Sequence, residues 1–192
     1  MKKRITNEGK FIVMRTIEEQ GHLFEEWLTP EQIDSDVQQV ADSINKDYLG
    51  KEPLFVIVLN GAIIFASDLL KKVNLRSELT FIRVSSYWGM ASTGELKFLV
   101  PLQQSVRGRD VIIVEDVVDT GLTMHQLKAH MRAEGAASVR IASMLFKPDK
   151  LEYNDAKPDY VGHNITNEFV IGYGLDLDGY MRNLDAIYKV KQ

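Results

Sequence analysis

Val111-Ile112-Ile113-Val114-Glu115-Asp116-Val117-Val118-Asp119-Thr120-Gly121-Leu122-Thr123 is the stretch on which the reading of this chain turns. Four consecutive apolar residues read as a buried strand, and the strand runs straight into two adjacent carboxylates. A third acid follows, and then a Thr-Gly-x-Thr turn that enters a helix. That helix is predicted from near Leu122 to just before Gly135, which suits a C-terminal cap. Backbone N–H groups at a helix start have no partner within the helix and, with the helix dipole, attract phosphate. Gly121 lets the backbone approach closely, and Thr120 and Thr123 add hydroxyl donors. The loop can therefore hold one phosphate without any lysine. Glu115 and Asp116 only accept hydrogen bonds when ionised, which suits sugar hydroxyls or metal-bound waters, and Asp119 stands where a base could be. An aspartate-rich turn with ordinary capping would account for the two acids alone, but not for the whole string.

Working outward, the same pattern recurs. Leu54-Phe55-Val56-Ile57-Val58-Leu59 is a short, wholly apolar run that ends at Asn60-Gly61 and leads into a helix from Ala62 to about Lys72. It reads as a buried parallel strand, a turn and a crossover helix. Residues 79–84 and 139–146 read as further strands, and 169–173 as a last short one. Before the first strand, Thr29 is a helix cap, Pro30 fits the first helical position and Gln32 completes a capping box. Leu28 and Ile33 form the flanking hydrophobic staple, and Ile33, Val37, Val40, Ala41, Ile44 and Tyr48 trace one helical face. The opening thirty residues are expected to be an irregular arm, with strand-like spacing at Phe11, Val13 and Arg15. Residues 85–96 are polar and glycine-dotted and read as a mobile loop, and 147–159 as loop. Strand, turn and helix in repetition predict an α/β domain with a mostly parallel central sheet flanked by helices. Ligands of such sheets bind outside the carboxyl ends of the strands, so the informative residues should follow each apolar run.

Composition sets bounds. The chain has 192 residues, 45% hydrophobic and 26% charged, with a formal net charge of −4. That is enough for one domain of 1–192 with a substantial core, and the net negative charge argues against broad nucleic-acid binding. With no cysteine, disulfides and thiolate chemistry are excluded, in keeping with a cytoplasmic protein. Met1-Lys2-Lys3-Arg4 is basic, but no apolar signal core follows and no apolar run approaches a membrane span. His125 and His130 are five apart and share no helix face, while His22 and His163 are isolated. No His/Cys metal cluster, Ser-His-Asp arrangement, dinucleotide fingerprint or Walker loop is present.

The Val-Glu-Asp-Val-Val-Asp-Thr-Gly-Leu-Thr string resembles the phosphoribosyl-diphosphate motif of the type I phosphoribosyltransferases, in the version of their hypoxanthine–guanine branch. The resemblance covers most of the chain from about residue 50 onward. It implies that Glu115 and Asp116 hold ribose hydroxyls, and that Asp119, Thr120, Gly121, Leu122 and Thr123 cradle the 5′-phosphate. Asp119 is then also the base for the purine N7 proton. Asn60 and Gly61 correspond to the loop whose backbone amides bind diphosphate. Many members carry a lysine and a second glycine there; Asn60 and Ala62 replace them, so backbone recognition survives and a cationic contact does not. The family often has a cis peptide at this place. Ser86 and Tyr87 begin a lid near the diphosphate, a device that keeps water from a reactive sugar cation.

On the base side, a lone lysine at a strand end is ordinarily a solvated charge, but Lys147 matches the family lysine that donates to the purine O6. That contact favours 6-oxopurines over adenine. Phe169, by composition a core residue, matches the ring that stacks on the purine, and Val170 contacts the base through its backbone. Asp176 touches a magnesium-bound water, and Arg182 reaches the diphosphate as a permanent forked donor. The implied metal is Mg²⁺, neutralising the leaving diphosphate, with Glu115, Asp116 and Asp176 as its carboxylates. The implied substrates are 5-phosphoribosyl 1-diphosphate and hypoxanthine or guanine, the products IMP or GMP and diphosphate. The implied assembly is a homodimer or homotetramer, and the terminal segments are expected to form a small hood. Three other readings stand beside this one: a nucleotide-sensing regulator of the same fold that binds nucleic acid, a xanthine-preferring enzyme, and a receiver-like or Rossmann-like domain whose acids bind only a metal. The last does not account for residues 169–182.

Overall fold

The computed structural model describes residues 3–5, 11–13, 15–86 and 96–191. In chain order they form β1 (Lys3–Ile5), β2 (Phe11–Val13), β3 (Thr16–Glu19), β4 (His22–Leu28), α1 (Pro30–Asp47), β5 (Leu54–Val58), α2 (Ile63–Lys72), β6 (Glu78–Ser86) and β7 (Leu96–Val100). Then come β8 (Asp110–Val118), α3 (Leu122–Ala133), β9 (Ser138–Phe146), two 3-10 turns at Pro148–Lys150 and Asn154–Ala156, β10 (Tyr160–Asn164), β11 (Val170–Ile171) and β12 (Ile187–Val190). Among these residues no helix is long and apolar enough to cross a membrane.

The central sheet has the order β10-β9-β8-β5-β6-β7. It is parallel from β10 to β6, and β7 closes it antiparallel. Its inner strands are apolar throughout because both faces are covered. Side chains alternate across a strand, so Phe55, Ile57, Ile112 and Val114 join the core under α1 and α2. Leu54, Val56, Val58, Val111 and Ile113 join the core under α3. A smaller antiparallel sheet, β11-β12-β4-β3, forms the expected hood, with its own core of Phe24, Ile171, Ala186 and Tyr188.

Three expectations are corrected and one strand was not foreseen. The opening arm is not irregular: β1 pairs with β2, and β3 and β4 form a hairpin. Its two-residue turn, Gln20-Gly21, has φ of 50° and 76°, the left-handed pair that matches strand twist. The polar Tyr160–Asn164 segment, unmarked by hydrophobic pattern, is a strand because it lies parallel along β9 at the sheet edge. The last expected strand shortens to Val170–Ile171, because Gly172, Tyr173 and Gly174 take φ of 90°, 51° and 98°, which no strand accommodates. Residues 85 and 86, read as loop, continue β6 because β7 pairs with them; Tyr87 and the rest of the expected lid to residue 95 lie outside the described residues.

Candidate active site

A cleft of about 340 Å³ opens at the carboxyl edge of β5 and β8, lined by residues 58–61 and 115–124 with Val84, Asp176 and Arg182. The acids were expected just past the strand. Instead β8 carries them within its own length, because β9 pairs with it as far as Val118, Glu115 facing Ser143 and Val117 facing Leu145. Glu115 is therefore fixed within the ladder, and Asp116 is held in the strand between two paired residues rather than in a loop.

Past Val118 the chain turns through residues 119–121 into α3. Gly121 occupies the cap position with φ 85°, and no side chain caps the helix. The carbonyl of Thr120 accepts the N–H groups of Glu152 (2.9 Å) and Tyr153 (3.4 Å). A methyl group at position 121 would lie 2.9 Å from Ala156 Cβ and Leu151 Cδ1. The 151–156 segment thus braces the loop from behind, and residues 119–123 line the cleft on the other side. Across the cleft, Leu59–Asn60 is a cis peptide. Gly61 is pressed against Asp116: a methyl group there would overlap the Asp116 carboxylate.

Asp116 Oδ1 accepts the Val117 N–H at 2.7 Å. Glu115 Oε2 is buried and has no hydrogen-bond partner. Burial, and then the neighbouring Asp116 charge, push the Glu115 carboxyl well above the usual glutamate range. Lys147, just past β9, donates to Asp119 Oδ2 at 3.0 Å. At the far wall, Asp176 Oδ1 lies 2.7 Å from Arg182 and Asp176 Oδ2 accepts the Gly179 N–H at 2.7 Å. Arg182 also donates to the Gly174 carbonyl at 2.7 Å.

Of the sequence-predicted residues, Asn60, Gly61, Glu115, Asp116, Asp119, Thr120, Gly121, Leu122, Thr123, Asp176 and Arg182 share this cleft. Lys147, Phe169 and Val170 do not line it; Lys147 adjoins it through Asp119. The 165–169 segment follows alongside, since the Ile165 N–H bonds the Phe146 carbonyl at 2.8 Å. Glu168, whose carboxyl is held low first by Thr166, also feels the Lys147 charge. Phe169 is not the core residue that composition implies. The residue is 51% exposed, while its carbonyl is tied to the Val190 N–H of β12. Val170 is buried and pairs with Lys189. Ser86 ends β6 opposite Leu96. Sequence reasoning missed Val84 in the cleft wall, whose signal was its place at the end of a predicted strand. It also missed the contact of the Gly172-Tyr173-Gly174 turn with Gly61, for which two glycines around one tyrosine were the only mark.

A mostly parallel sheet with its cleft at the carboxyl edge, and a glycine-started helix beside paired acids, define an α/β protein with its candidate ligand site at the strand ends. Residues 28–178 match the model of the phosphoribosyl transferase domain. The chain is 39% identical over 163 residues to the hypoxanthine-guanine phosphoribosyltransferase of Streptococcus thermophilus, covering 84% of this chain and 90% of that one. It is 38% identical over 167 residues to that of Mycobacterium tuberculosis, covering 83% and 82%. The crystal structure of a hypoxanthine phosphoribosyltransferase from Staphylococcus aureus superposes with a TM-score of 0.82 at 36% identity, covering 87% of this chain and 91% of that one. The chain belongs to the phosphoribosyltransferase family.

Proposed function

We propose that the protein is a purine-salvage enzyme that transfers the 5-phosphoribosyl group of 5-phosphoribosyl 1-diphosphate to N9 of hypoxanthine or guanine, giving IMP or GMP and diphosphate. The observation that carries this reading is the Lys147–Asp119 pair at the edge of the phosphate loop. It offers a cationic donor beside an anionic acceptor, the complement of the O6 and N7–H of a 6-oxopurine. The names of the relatives agree with it.

In this reading the amides of residues 119–123 seat the 5′-phosphate, and Glu115 and Asp116 take the ribose hydroxyls. The Asn60-Gly61 amides and Arg182 hold the diphosphate. Phe169, half-exposed, offers a face on which the purine stacks, and Asp119 accepts the N7 proton as N9 attacks the anomeric carbon. The carboxylates suit Mg²⁺: Glu115 has an orphaned buried oxygen beside Asp116, and Asp176 faces the same cleft. Among the described residues no three His, Cys, Asp or Glu side chains form a metal cage. A hard cation here would thus take most of its oxygens from substrate and water. When bound, it would neutralise charge on the departing diphosphate. For self-association we propose the exposed apolar face of Ile63, Leu79 and Phe81 as the contact with a second copy, checked by the mass in solution of a Phe81→Glu variant.

The deciding experiment follows diphosphate release with hypoxanthine, guanine, xanthine and adenine, with and without Mg²⁺. Release is expected with the first two, with adenine far behind, and only with the metal. Equal turnover of adenine would sink the O6 assignment, and absence of release with any base would sink the enzyme reading.

A further inference from the structure

Besides Asp176 and Arg182 in the cleft wall, the hood bears on the cleft through the turn at Gly172–Leu175. The Gly172 N–H bonds the Leu175 carbonyl (3.0 Å) and the Leu175 N–H bonds back (3.1 Å). Within this turn Tyr173 has φ 51°, a left-handed conformation that costs a side-chain-bearing residue energy unless its surroundings hold it. Two sets of contacts hold it. Its backbone is fastened to the following loop, Tyr173 N–H to the Leu184 carbonyl and Gly174 N–H to the Arg182 carbonyl, each 2.9 Å. Its side chain, only 5% exposed, runs into the core under α2 and donates its hydroxyl to Asp68 Oδ2 at 2.9 Å. Burial, reinforced by the Asp68 charge, raises the phenol well above its ordinary value, so it stays a donor at any working pH.

What this turn touches gives it a consequence. A methyl group on Gly174 would overlap the Gly61 carbonyl oxygen, and one on Gly61 would overlap the Asp116 carboxylate. Gly174, Gly61 and Asp116 are thus stacked with no spare room, so the Asn60-Gly61 loop is set from one side by β8 and from the other by the hood. Asp68 belongs to α2, the helix into which that loop leads.

We propose that Tyr173 is a positioning residue for the diphosphate: its hydrogen bond to Asp68 holds the Gly172–Gly174 turn against Gly61 and so fixes the amides of the Asn60-Gly61 loop. This rests on the reading of that loop as the diphosphate site. The test compares Tyr173→Phe, Asp68→Leu, their combination and Asp68→Asn, which keeps an acceptor oxygen. A lost hydrogen bond of about 1 kcal/mol corresponds to a rise of roughly fivefold in KM for phosphoribosyl diphosphate, and in KM for diphosphate in the reverse reaction. The KM for hypoxanthine should stay within about twofold. The double variant should be no worse than either single one, because both break the same bond, and Asp68→Asn should recover most of the loss. If the KM values for base and for phosphoribosyl diphosphate rise together, or only the melting temperature falls, the pair is merely structural and the proposal fails. Should Tyr173→Phe not fold, Asp68→Leu removes the same bond from the α2 side. If wild-type protein is not inhibited by diphosphate at all, the reading of the loop is at fault; if it is inhibited and the variants match it, the positioning role is.

Discussion

The starts of α1 and α3 do opposite things with the same chemistry. At α1, Thr29 Oγ1 accepts the Gln32 N–H (3.3 Å) and Gln32 Oε1 accepts the Thr29 N–H (3.0 Å), a closed capping box. At α3 a left-handed glycine holds the cap position and offers no side chain; only Thr120 Oγ1, one residue earlier, reaches the Leu122 N–H, at a long 3.4 Å. Every helix start must satisfy its orphan donors somehow. α1 does so from its own sequence and serves stability. α3 makes no such box, and its start lines the cleft beside the acids of β8, where the proposed function puts a phosphate. The glycine-started helix lies at the sheet's carboxyl edge in the cleft, and the boxed one lies outside it.

Four variants test that contrast. The largest effect is expected from Asp119→Asn, at the entry to α3. Loss of the base should lower kcat by roughly 10²–10⁴-fold and leave the KM for phosphoribosyl diphosphate nearly unchanged. Steady-state kinetics across pH check this, and unaltered turnover would remove the base role. Gly121→Ala comes next. A side chain at φ 85° costs about 1–2 kcal/mol, and Ala156 and Leu151 stand in its way. The KM for phosphoribosyl diphosphate should rise about 5–30-fold, more than any change in the KM for hypoxanthine. Thr29→Ala should show the reverse pattern. Stability falls by about 1 kcal/mol, or roughly 2–4 °C in Tm, with both KM values untouched. A kinetic effect there would erase the distinction between the two helix starts.

The smallest effect concerns Glu115→Gln and depends on pH. A carboxyl whose folded pKa lies above its unfolded value binds its proton more tightly when folded. The stability it contributes is full below the unfolded value, about 4.3 for glutamate, and is lost as pH rises through the folded one. Burial places Glu115 in this case. The ligand-free Glu115→Gln protein should therefore gain Tm relative to the wild type as pH rises above about 4.3. A difference independent of pH, measured by thermal unfolding, would show that Glu115 ionises like an exposed carboxylate.

Local signals carried much of this molecule. The capping box at Thr29 and the apolar face from Ile33 to Tyr48 appear in the structure as they read in the sequence. So do the buried runs of β5 and β8, since a strand covered on both faces must be apolar throughout. That residues 115–123 gather in one cleft was legible for the same reason: the acids, glycine and threonines are contiguous and need no distant partner to be recognised. Residues 160–164 and 187–190 were not legible as strands. Their pattern is weak alone, and they are strands because β9 in one case, and β4 with β11 in the other, offer unpaired backbone.

Sequence by itself therefore determined the parallel sheet, its crossover helices and the chemical character of residues 111–123, because each rests on neighbours within a few positions. Only the tertiary structure decided that Lys147 meets Asp119, that Arg182 and Asp176 close the far wall, and that Gly174 bears on Gly61. These are contacts between segments 28 to 113 residues apart along the chain, or a bond within a hood whose strands come from both ends of it. The Lys147–Asp119 contact follows from the register of β8 with β9 and the Gly174–Gly61 contact from how the hood packs on the central sheet, neither of which a local pattern encodes.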